Sequence, residues 1–308
     1  MTASDERTQQ MDLRGKSIGV TGASGFLGGY VVDALRARGA KVVGVVRNPL
    51  KVPDLAGRCA ELRQADLMDP SALRAAFSGV DAVVHTAALY SLTQGGWEAN
   101  FRPNQIGTQH TFEALRDAGV QRVVHVSTVG VYRQQLGLSR EDDPKLELKD
   151  RFTAGAYRTT KALSEALAWR LSAEYGLALT VLRPSGIYGA RDTNFMPLVR
   201  RLTRLPLLVV PNLVFPFVYA GDVAEAAALS LEREVSVGEA YNTAGEARST
   251  WEFFQAWKQA SGKGPALALP LPLPARIAYD NTKALKDLGW KNSDLVDSLR
   301  EVFEVDPA

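Results

Sequence analysis

Thr21-Gly22-Ala23-Ser24-Gly25-Phe26-Leu27-Gly28 stands between a short apolar run and a helical pattern, and this arrangement decides the fold. Gly22 permits a tight turn, Gly25 lets the backbone approach a pyrophosphate, and Gly28 allows the helix to pack closely. The helix that follows presents free backbone N–H groups and its positive dipole end to the phosphates. A glycine spacing of this kind between strand and helix therefore predicts a dinucleotide-binding loop.

Short apolar runs alternate with helical patterns on both sides of this loop, from residue 16 to about residue 181. The predicted strands cover residues 17–21, 41–46, 60–64, 82–85, 122–127 and 178–182, and the predicted helices cover 26–38, 70–77, 104–118 and 154–175. Continuous apolar runs are typical of strands buried in a parallel sheet. The pattern predicts an α/β fold with a Rossmann-type doubly wound parallel sheet.

Prolines become frequent beyond Arg183, and the strand–helix alternation loosens. We expect a dinucleotide-binding domain over residues 13–182, with a return of the chain at about 217–246. Residues 183–216 and 247–308 would form a smaller C-terminal α/β substrate domain. The apolar stretch 205–220 is too short and too rich in proline to span a bilayer, so we expect it to form core or pocket wall.

Composition and charge narrow the classes of partner. The 308 residues include 36 Lys plus Arg and 34 Asp plus Glu, a formal net charge of +2, which argues against nucleic acid. One cysteine and three histidines provide neither a disulfide nor a metal cluster, and the N-terminus carries no apolar targeting segment. We expect a cytoplasmic protein that acts on a small molecule, with no metal and no membrane partner.

The end of the second predicted strand indicates which dinucleotide is bound. Enzymes that use NAD usually place Asp or Glu there to bind the ribose 2′-OH, but this strand ends in Val46-Arg47-Asn48. A guanidinium suits a 2′-phosphate, so Arg47 favours NADP(H), while NAD(H) stays open and a solvated surface arginine is the plain alternative. Asp66, after the third strand, could accept from the adenine amino group or could cap a helix.

Tyr157 and Lys161 are four residues apart on a predicted helix, so they share one face. A nearby ammonium favours the phenolate and lowers the pKa of a tyrosine, which suits proton transfer. This spacing alone also occurs by chance on exposed helices. Upstream, Ser127-Thr128 supplies hydroxyls at the carboxyl end of a strand, the edge of the sheet where ligands bind in such folds.

Taken together, these segments resemble the extended short-chain dehydrogenase/reductase family, whose members are NAD-dependent epimerase/dehydratase-like proteins. The resemblance covers nearly the whole chain and rests on an ordered series of motifs: 21–28, Asp66-Leu67, 85–88, Asn104 with Gly107-Thr108, 127–132, Tyr157-x-x-x-Lys161, 182–189, 217–223, 241–245 and 283–290. It implies a homodimer through the helices that carry Asn104 and Tyr157.

The resemblance also implies roles for individual residues. Tyr157 would be the general acid/base, Lys161 would tune it and hold the nicotinamide ribose, and Thr128 would bond the substrate oxygen. The implied cofactor-binding residues are Gly22, Ser24, Gly25, Phe26, Leu27, Gly28, Arg47, Asp66, Leu67, Thr86, Ala87, Ala88, Tyr157, Lys161, Pro184 and Ser185. The candidate substrate contacts are Tyr90, Thr128, Tyr188, Asn194 and Phe195, for which turn formation or core packing is the plain alternative.

Positions that differ within this family favour net redox chemistry. Dehydratases carry an acidic pair directly after the catalytic threonine, where this chain has Val129 and Gly130. Epimerases usually place an acid on the ribose, whereas Arg47 resembles the cofactor loop of the NADPH-dependent carbonyl reductases. We therefore expect an NADP(H)-dependent oxidoreductase that reduces a ketone or aldehyde, or oxidises the corresponding alcohol.

Two alternatives stay open at this point. A nucleotide-sugar 4-epimerase with tightly bound NAD would need a cation for the diphosphate, but the family's arginine falls near Phe215, where no cation stands. Arg191, Arg248 or Arg276 could substitute for it. The second alternative is a non-catalytic protein that senses the dinucleotide.

Overall fold

The computed structural model describes residues 10–88 and 96–305. Its strands are β1 (Ser17–Thr21), β2 (Lys41–Val46), β3 (Glu61–Gln64), β4 (Ala82–His85), β5 (Arg122–Val126), β6 (Gly137–Ser139), β7 (Ala178–Pro184), β8 (Gly186–Tyr188), β9 (Leu207–Val214), β10 (Phe217–Tyr219), β11 (Glu239–Thr243) and β12 (Leu267–Tyr279). Its α-helices are α1 (Phe26–Ala37), α2 (Pro53–Ala56), α3 (Pro70–Phe77), α4 (Gly96–Phe101), α5 (Gly107–Ala118), α6 (Arg151–Ala154), α7 (Ala156–Tyr175), α8 (Phe195–Thr203), α9 (Ala220–Glu232), α10 (Thr250–Ser261), α11 (Thr282–Leu288) and α12 (Leu295–Val305). None of these helices is long and apolar enough to cross a membrane.

A seven-stranded parallel sheet organises the larger part of the fold. Its strand order is β11-β7-β5-β4-β1-β2-β3, so β1 lies between β2 and β4 and the direction of winding reverses there. Such a reversal opens a crevice beyond the carboxyl ends of the strands, where ligands bind. The predicted Rossmann-type doubly wound α/β fold is confirmed.

Alternate residues of the strands face two separate cores, because successive side chains point to opposite faces of a sheet. Val84 and Val124 lie in the core that α1 and α9 cover. Val83 and Val123 lie in the core that α3, α5 and α7 cover. Burial on both faces explains why the strands read as continuous apolar runs.

The smaller part of the fold contains α8, α10 and α12 around the buried side chains of Trp257 and Leu299. Two small parallel sheets accompany it, β10-β8 and β6-β12-β9. Helix α11 packs instead on β11 and α9, and Leu288 and Trp290 belong to the core of the large sheet. The division into two domains therefore stays a prediction, and α11 lies on the larger side of it.

The predicted helix 104–118 begins later than expected. Helix α4 is followed by a π-helical turn, Arg102–Ile106, and α5 starts only at Gly107. Pro103 lies inside this turn and has no N–H to donate to the preceding turn, which favours a wider local geometry.

The expectation that 205–220 is core or pocket wall is wrong for one face of its first half, although Val210 on the other face is 8% exposed. Residues 207–214 form β9, and the side chains of Leu205, Leu207 and Val209 are 44%, 53% and 50% exposed. The second half does reach the interior, since Val218 and Ala220 are fully buried.

The proline-rich stretch that pairs with β9 forms a strand that the sequence did not predict. β12 continues through Pro270, Pro272 and Pro274. These prolines occupy every second position, so their backbone nitrogens face one edge of the strand. Leu267, which belongs to the alternate set, faces the other edge, where its N–H donates to the Pro206 carbonyl beside β9 at 3.2 Å. The missing N–H groups therefore all fall on the opposite edge, where a strand tolerates proline.

Candidate active site and cofactor cleft

The glycine loop between β1 and α1 has a backbone that only glycine fits. Gly22 has a φ of +69°, in the left-handed region that favours glycine. Gly25 donates its N–H to the Gly22 carbonyl at 2.8 Å and closes the turn. A Cβ at Gly28 would lie 2.0 Å from the Gly22 oxygen, so any side chain there would force loop and helix apart.

A cavity of about 380 Å³ opens beyond the carboxyl ends of β1, β2 and β3. This volume lies within the range of small-molecule sites. Seven residues predicted to bind the cofactor line it: Gly22, Ser24, Arg47, Asp66, Leu67, Ala87 and Ala88. Gly25, Phe26, Leu27, Gly28, Thr86, Pro184, Ser185, Tyr157 and Lys161 are not among its lining residues. The cavity thus corresponds to one end of the predicted cofactor site.

Two arginines line this cavity, and one of them was not predicted. Arg47 follows β2, and Arg102 begins the π-helical turn before α5. Neither guanidinium forms a hydrogen bond or ion pair within residues 10–88 and 96–305. Arg102 is far from the glycine loop in sequence, and only the topology brings the two cations to one cavity.

Asp66 and Leu67 sit on the cavity wall in a short turn. Asp66 accepts the Met68 N–H at 2.8 Å. Asp69, rather than Asp66, caps α3 by accepting the Ala72 N–H at 3.0 Å, which removes the helix-cap alternative for Asp66. Its predicted contact with adenine stays a prediction.

Helix α7 is fastened directly to the loop that follows β5. Lys161 donates from Nζ to the Val126 carbonyl at 2.9 Å. Arg158 donates to the carbonyls of Gly130 and Tyr132, each at 2.9 Å. The start of α7 and this loop are thereby held together at the carboxyl edge of the sheet.

These bonds assemble the three predicted catalytic residues on two joined segments. Tyr157 precedes Arg158 on α7, Lys161 lies one turn further on, and Thr128 precedes the turn that Arg158 holds. Thr128 accepts the Gly130 N–H at Oγ1 at 3.1 Å. Ser127 is 4% exposed, whereas Thr128 is only partly buried, so Thr128 is the more accessible hydroxyl. Arg158, which joins the two segments, was not predicted from the sequence.

Lys161 is a buried cation in a region with little compensating charge. It is 3% exposed, and burial lowers its pKa to about 8, against the opposing attraction of Glu165. His85 and His125 stack on each other with ring centroids 5.2 Å apart. Burial is the main cause that lowers the pKa of His85 to about 3 and the pKa of His125 well below its usual range. The positive charge of Lys161 lowers both further. Both imidazoles are therefore neutral at pH 7.

The remaining predicted substrate contacts lie in packing or turn positions. Tyr188 is 2% exposed and its hydroxyl lies 2.6 Å from the Ser298 hydroxyl, so the structure gives it a core role. Phe195 stacks on Phe217 with ring centroids 4.5 Å apart. Asn194 donates its backbone N–H to Asp192 in the turn before α8. Tyr90 lies outside the described residues.

The three arginines that could replace a diphosphate clamp do not converge. Arg248 forms a 2.5 Å ion pair with Glu246. Arg276 is exposed on β12, and Arg191 lies beside Gly29 of α1. The walls near Phe215 therefore offer aromatic surface rather than an unpaired cation.

Comparison with known proteins places this arrangement in a family. The chain matches the sequence model of the NAD dependent epimerase/dehydratase family over residues 18–244. It is 35% identical over 268 residues to sterol demethylase protein B of Methylococcus capsulatus, covering 84% of this chain and 79% of that protein. It is 31% identical over 305 residues to cinnamoyl-CoA reductase 1 of Oryza sativa subsp. japonica, covering 92% and 88%. A solved UDP-glucose-4-epimerase from Stenotrophomonas maltophila, with bound NAD and formylated UDP-arabinopyranose, matches with a TM-score of 0.78 at 25% identity and covers 94% and 97%.

The chain belongs to the NAD-dependent epimerase/dehydratase family, as the motifs predicted. It is an NAD(P)-dependent oxidoreductase of the extended short-chain dehydrogenase/reductase type. A nicotinamide dinucleotide fits the residues present, because the glycine loop has no room for a side chain at Gly28 and the cavity beside it is lined by two guanidinium groups that have no partner among the described residues.

Proposed function

We propose that this protein is an NADPH-dependent reductase that converts a ketone or aldehyde on an apolar substrate to the alcohol. The observation that carries the proposal is the pair of guanidinium groups, Arg47 and Arg102, that line the cavity beyond β2 and have no ion-pair partner in the part of the chain that the structure describes. A 2′-phosphate would form charge-assisted hydrogen bonds with such groups, whereas a ribose hydroxyl offers them no negative charge.

The residues of the site divide the reaction between them. Bound NADPH would supply the hydride. The hydroxyls of Thr128 and Tyr157 would hold the substrate oxygen, and Tyr157 would give it a proton as the carbonyl carbon is reduced. The Lys161 ammonium, which the Val126 carbonyl holds at 2.9 Å, would stabilise the phenolate that remains.

The names of two relatives support an apolar substrate. Relatives whose names refer to a sterol and to a cinnamoyl thioester each match most of this chain. Substrates of this kind present large ring systems, which apolar walls bind well.

A nucleotide-sugar 4-epimerase is the second candidate, favoured by the similarity to a solved UDP-glucose-4-epimerase over 94% of the chain. An epimerase returns its hydride to the same substrate, so it needs no external reductant. The two candidates therefore differ in whether cofactor is consumed.

The experiment that tests the proposal measures NADPH oxidation with a panel of sterol ketones and aromatic aldehydes. In parallel, UDP-hexoses are incubated with the protein without added reductant. We expect NADPH consumption with at least one apolar carbonyl compound and no sugar product. Conversion of a UDP-hexose without reductant would contradict the reductase and establish the epimerase.

The substitution Tyr157→Phe tests the chemical role within this assay. Turnover should fall at least about hundredfold, while NADPH affinity stays within about twofold, because only the proton donor is lost. Tyr175→Phe, at the far end of the same helix, is the matched control and should leave turnover unchanged. Full activity of Tyr157→Phe would refute the assigned role.

A further inference from the structure

The parallel pair β9 and β12 carries an exposed apolar surface that the reductase chemistry does not use. Register pairs Leu207 with Leu267, Val209 with Leu269 and Pro211 with Leu271. These six side chains share one face, because residues two apart in a strand point the same way. We call this face the apolar ribbon; it comprises Leu207, Val209, Pro211, Leu267, Leu269 and Leu271.

The exposure of the apolar ribbon is unusual for so many adjacent side chains. Leu207 and Leu267 are each 53% exposed, and Val209, Leu269 and Leu271 are each 50% exposed. The opposite face of β9 packs against α10, and Val210 on that face is 8% exposed. Contiguous exposed apolar patches mark surfaces that another molecule or a membrane covers.

The two segments that form the apolar ribbon carry charge of one sign. Residues 193–221 and 253–279, which contain both strands, include no Asp or Glu, and the nearest acids in sequence are Asp192, Asp222, Glu252 and Asp280. The two segments include six cations: Arg200, Arg201, Arg204, Lys258, Lys263 and Arg276. Because the whole chain has a formal charge of only +2, the rest of it is net negative. The positive charge is therefore concentrated on the two segments that form the ribbon.

The cations lie at both ends of the apolar ribbon. Arg204 and Lys263 precede the two parallel strands, and Arg276 pairs in register with Val214 at the other end. Arg201 and Arg204 are exposed and form no ion pair in the described parts of the chain. An apolar strip bordered by cations fits a surface that is apolar within and anionic at its boundary, which describes an anionic lipid bilayer.

We propose that the apolar ribbon docks this protein on the surface of an anionic lipid bilayer without spanning it. This goes beyond the proposed reductase activity and revises the sequence-based expectation of no membrane partner. A second copy of the chain is a poor occupant, because two ribbons facing each other would bring twelve like charges together.

The strand that carries the apolar ribbon also reaches the neighbourhood of the predicted active site. β12 continues from the exposed leucines to Tyr279, which stacks on Tyr132 with ring centroids 5.9 Å apart. Both rings belong to a buried cluster with Val129, the residue after Thr128. The docking strand is therefore continuous with the packing behind the predicted catalytic hydroxyl.

The test is co-sedimentation of the purified protein with vesicles of phosphatidylcholine alone and of phosphatidylcholine with one third phosphatidylglycerol. We expect binding to the anionic vesicles that weakens in high salt. Replacing Leu267, Leu269 and Leu271 together by serine should weaken it roughly hundredfold, because three half-exposed leucines lose their apolar contact. The pair Arg201→Gln and Arg204→Gln should weaken it about fivefold for each residue.

Matched controls come from α11, which packs on β11 and α9. Leu285 is 56% exposed and Lys286 is exposed beside it, so Leu285→Ser and Lys286→Gln should leave vesicle binding unchanged. Unaltered NADPH binding and melting temperature in every variant would show that each one folds. These readouts do not depend on the substrate, so the docking proposal and the reductase proposal fail separately.

Three outcomes would overturn the docking proposal. The first is no binding of the wild-type protein to either vesicle. The second is binding that the arginine variant loses but the leucine variant keeps, because the apolar ribbon would then play no part. The third is a ribbon-dependent dimer in size-exclusion chromatography without vesicle binding, which would assign the face to a second copy of the chain.

Discussion

Replacing Lys161 by methionine should stabilise the cofactor-free protein while it abolishes turnover. The ammonium is 3% exposed, and burial lowers its pKa from the ordinary 10.5 to about 8. At 1.36 kcal/mol per pKa unit, burying this charge costs roughly 3 kcal/mol at pH 7. Its hydrogen bond to the Val126 carbonyl returns about 1 kcal/mol, so Lys161→Met should gain about 2 kcal/mol.

The gain should depend on pH in a defined direction. Between pH 8 and pH 10.5 the unfolded wild-type chain holds the Lys161 proton more tightly than the folded chain, so wild-type stability rises with pH in this window. The methionine variant has no such group. Its advantage should therefore be largest below pH 8 and should disappear by about pH 10.

Equilibrium denaturation by urea, measured on both proteins without cofactor at pH 7 and pH 10, checks this prediction. Comparison at the same pH cancels the titration of every other group. Lys286→Met, at an exposed position on α11, is the matched control and should show no gain. A variant that is less stable than wild type at pH 7, or a gain that is equal at both pH values, would refute the reasoning about buried charge.

Two further substitutions test the loop and the buried ion pair. Gly28→Ala places a Cβ 2.0 Å from a backbone oxygen of the glycine loop, so it should lower the free energy of unfolding by about 3 kcal/mol and abolish dinucleotide binding. The control Gly57→Ala, with open space around it, should do neither. Normal cofactor affinity of Gly28→Ala would contradict the loop geometry. Glu165→Gln removes the carboxylate that lies 2.5 Å from the guanidinium of Arg183, which is 2% exposed. The free energy of unfolding, measured by urea denaturation, should fall by roughly 3 to 5 kcal/mol, whereas the exposed control Glu304→Gln should leave it unchanged. Equal stability of the two variants would show that the buried pair is not needed.

Local sequence patterns predicted the large sheet well, because its strands are buried on both faces and its turns carry glycine. The strands β1, β2 and β4 and the helix α3 have the predicted bounds, and most other elements of the sheet begin or end within two residues of the predicted ones. The strand β12 was missed because its prolines read as turns. Tertiary pairing along one edge accommodates them, and no local signal in the sequence reveals which edge stays unpaired.

The candidate site was predictable only where a motif carries it. The glycine loop and the Tyr157 and Lys161 spacing are local, and the fold brings them to the same sheet edge. Arg102 and Arg158 were missed because distant segments form the cavity that Arg102 lines and supply the carbonyls that Arg158 binds. Tyr188 looked available in sequence, but the aromatic core buries it.

The preference between NADPH and NADH tests the central proposal most directly. Dissociation constants for both cofactors, measured by fluorescence titration on the wild-type protein, Arg47→Gln and Arg102→Gln, give this preference for each. We expect the wild-type protein to bind NADPH at least about tenfold more tightly than NADH, because a charge-assisted hydrogen bond contributes roughly 1.5 to 3 kcal/mol. In the Arg47→Gln variant, the ratio of the two affinities should fall toward unity. Equal affinities in the wild-type protein, or NAD that co-purifies and does not exchange, would contradict the reductase proposal.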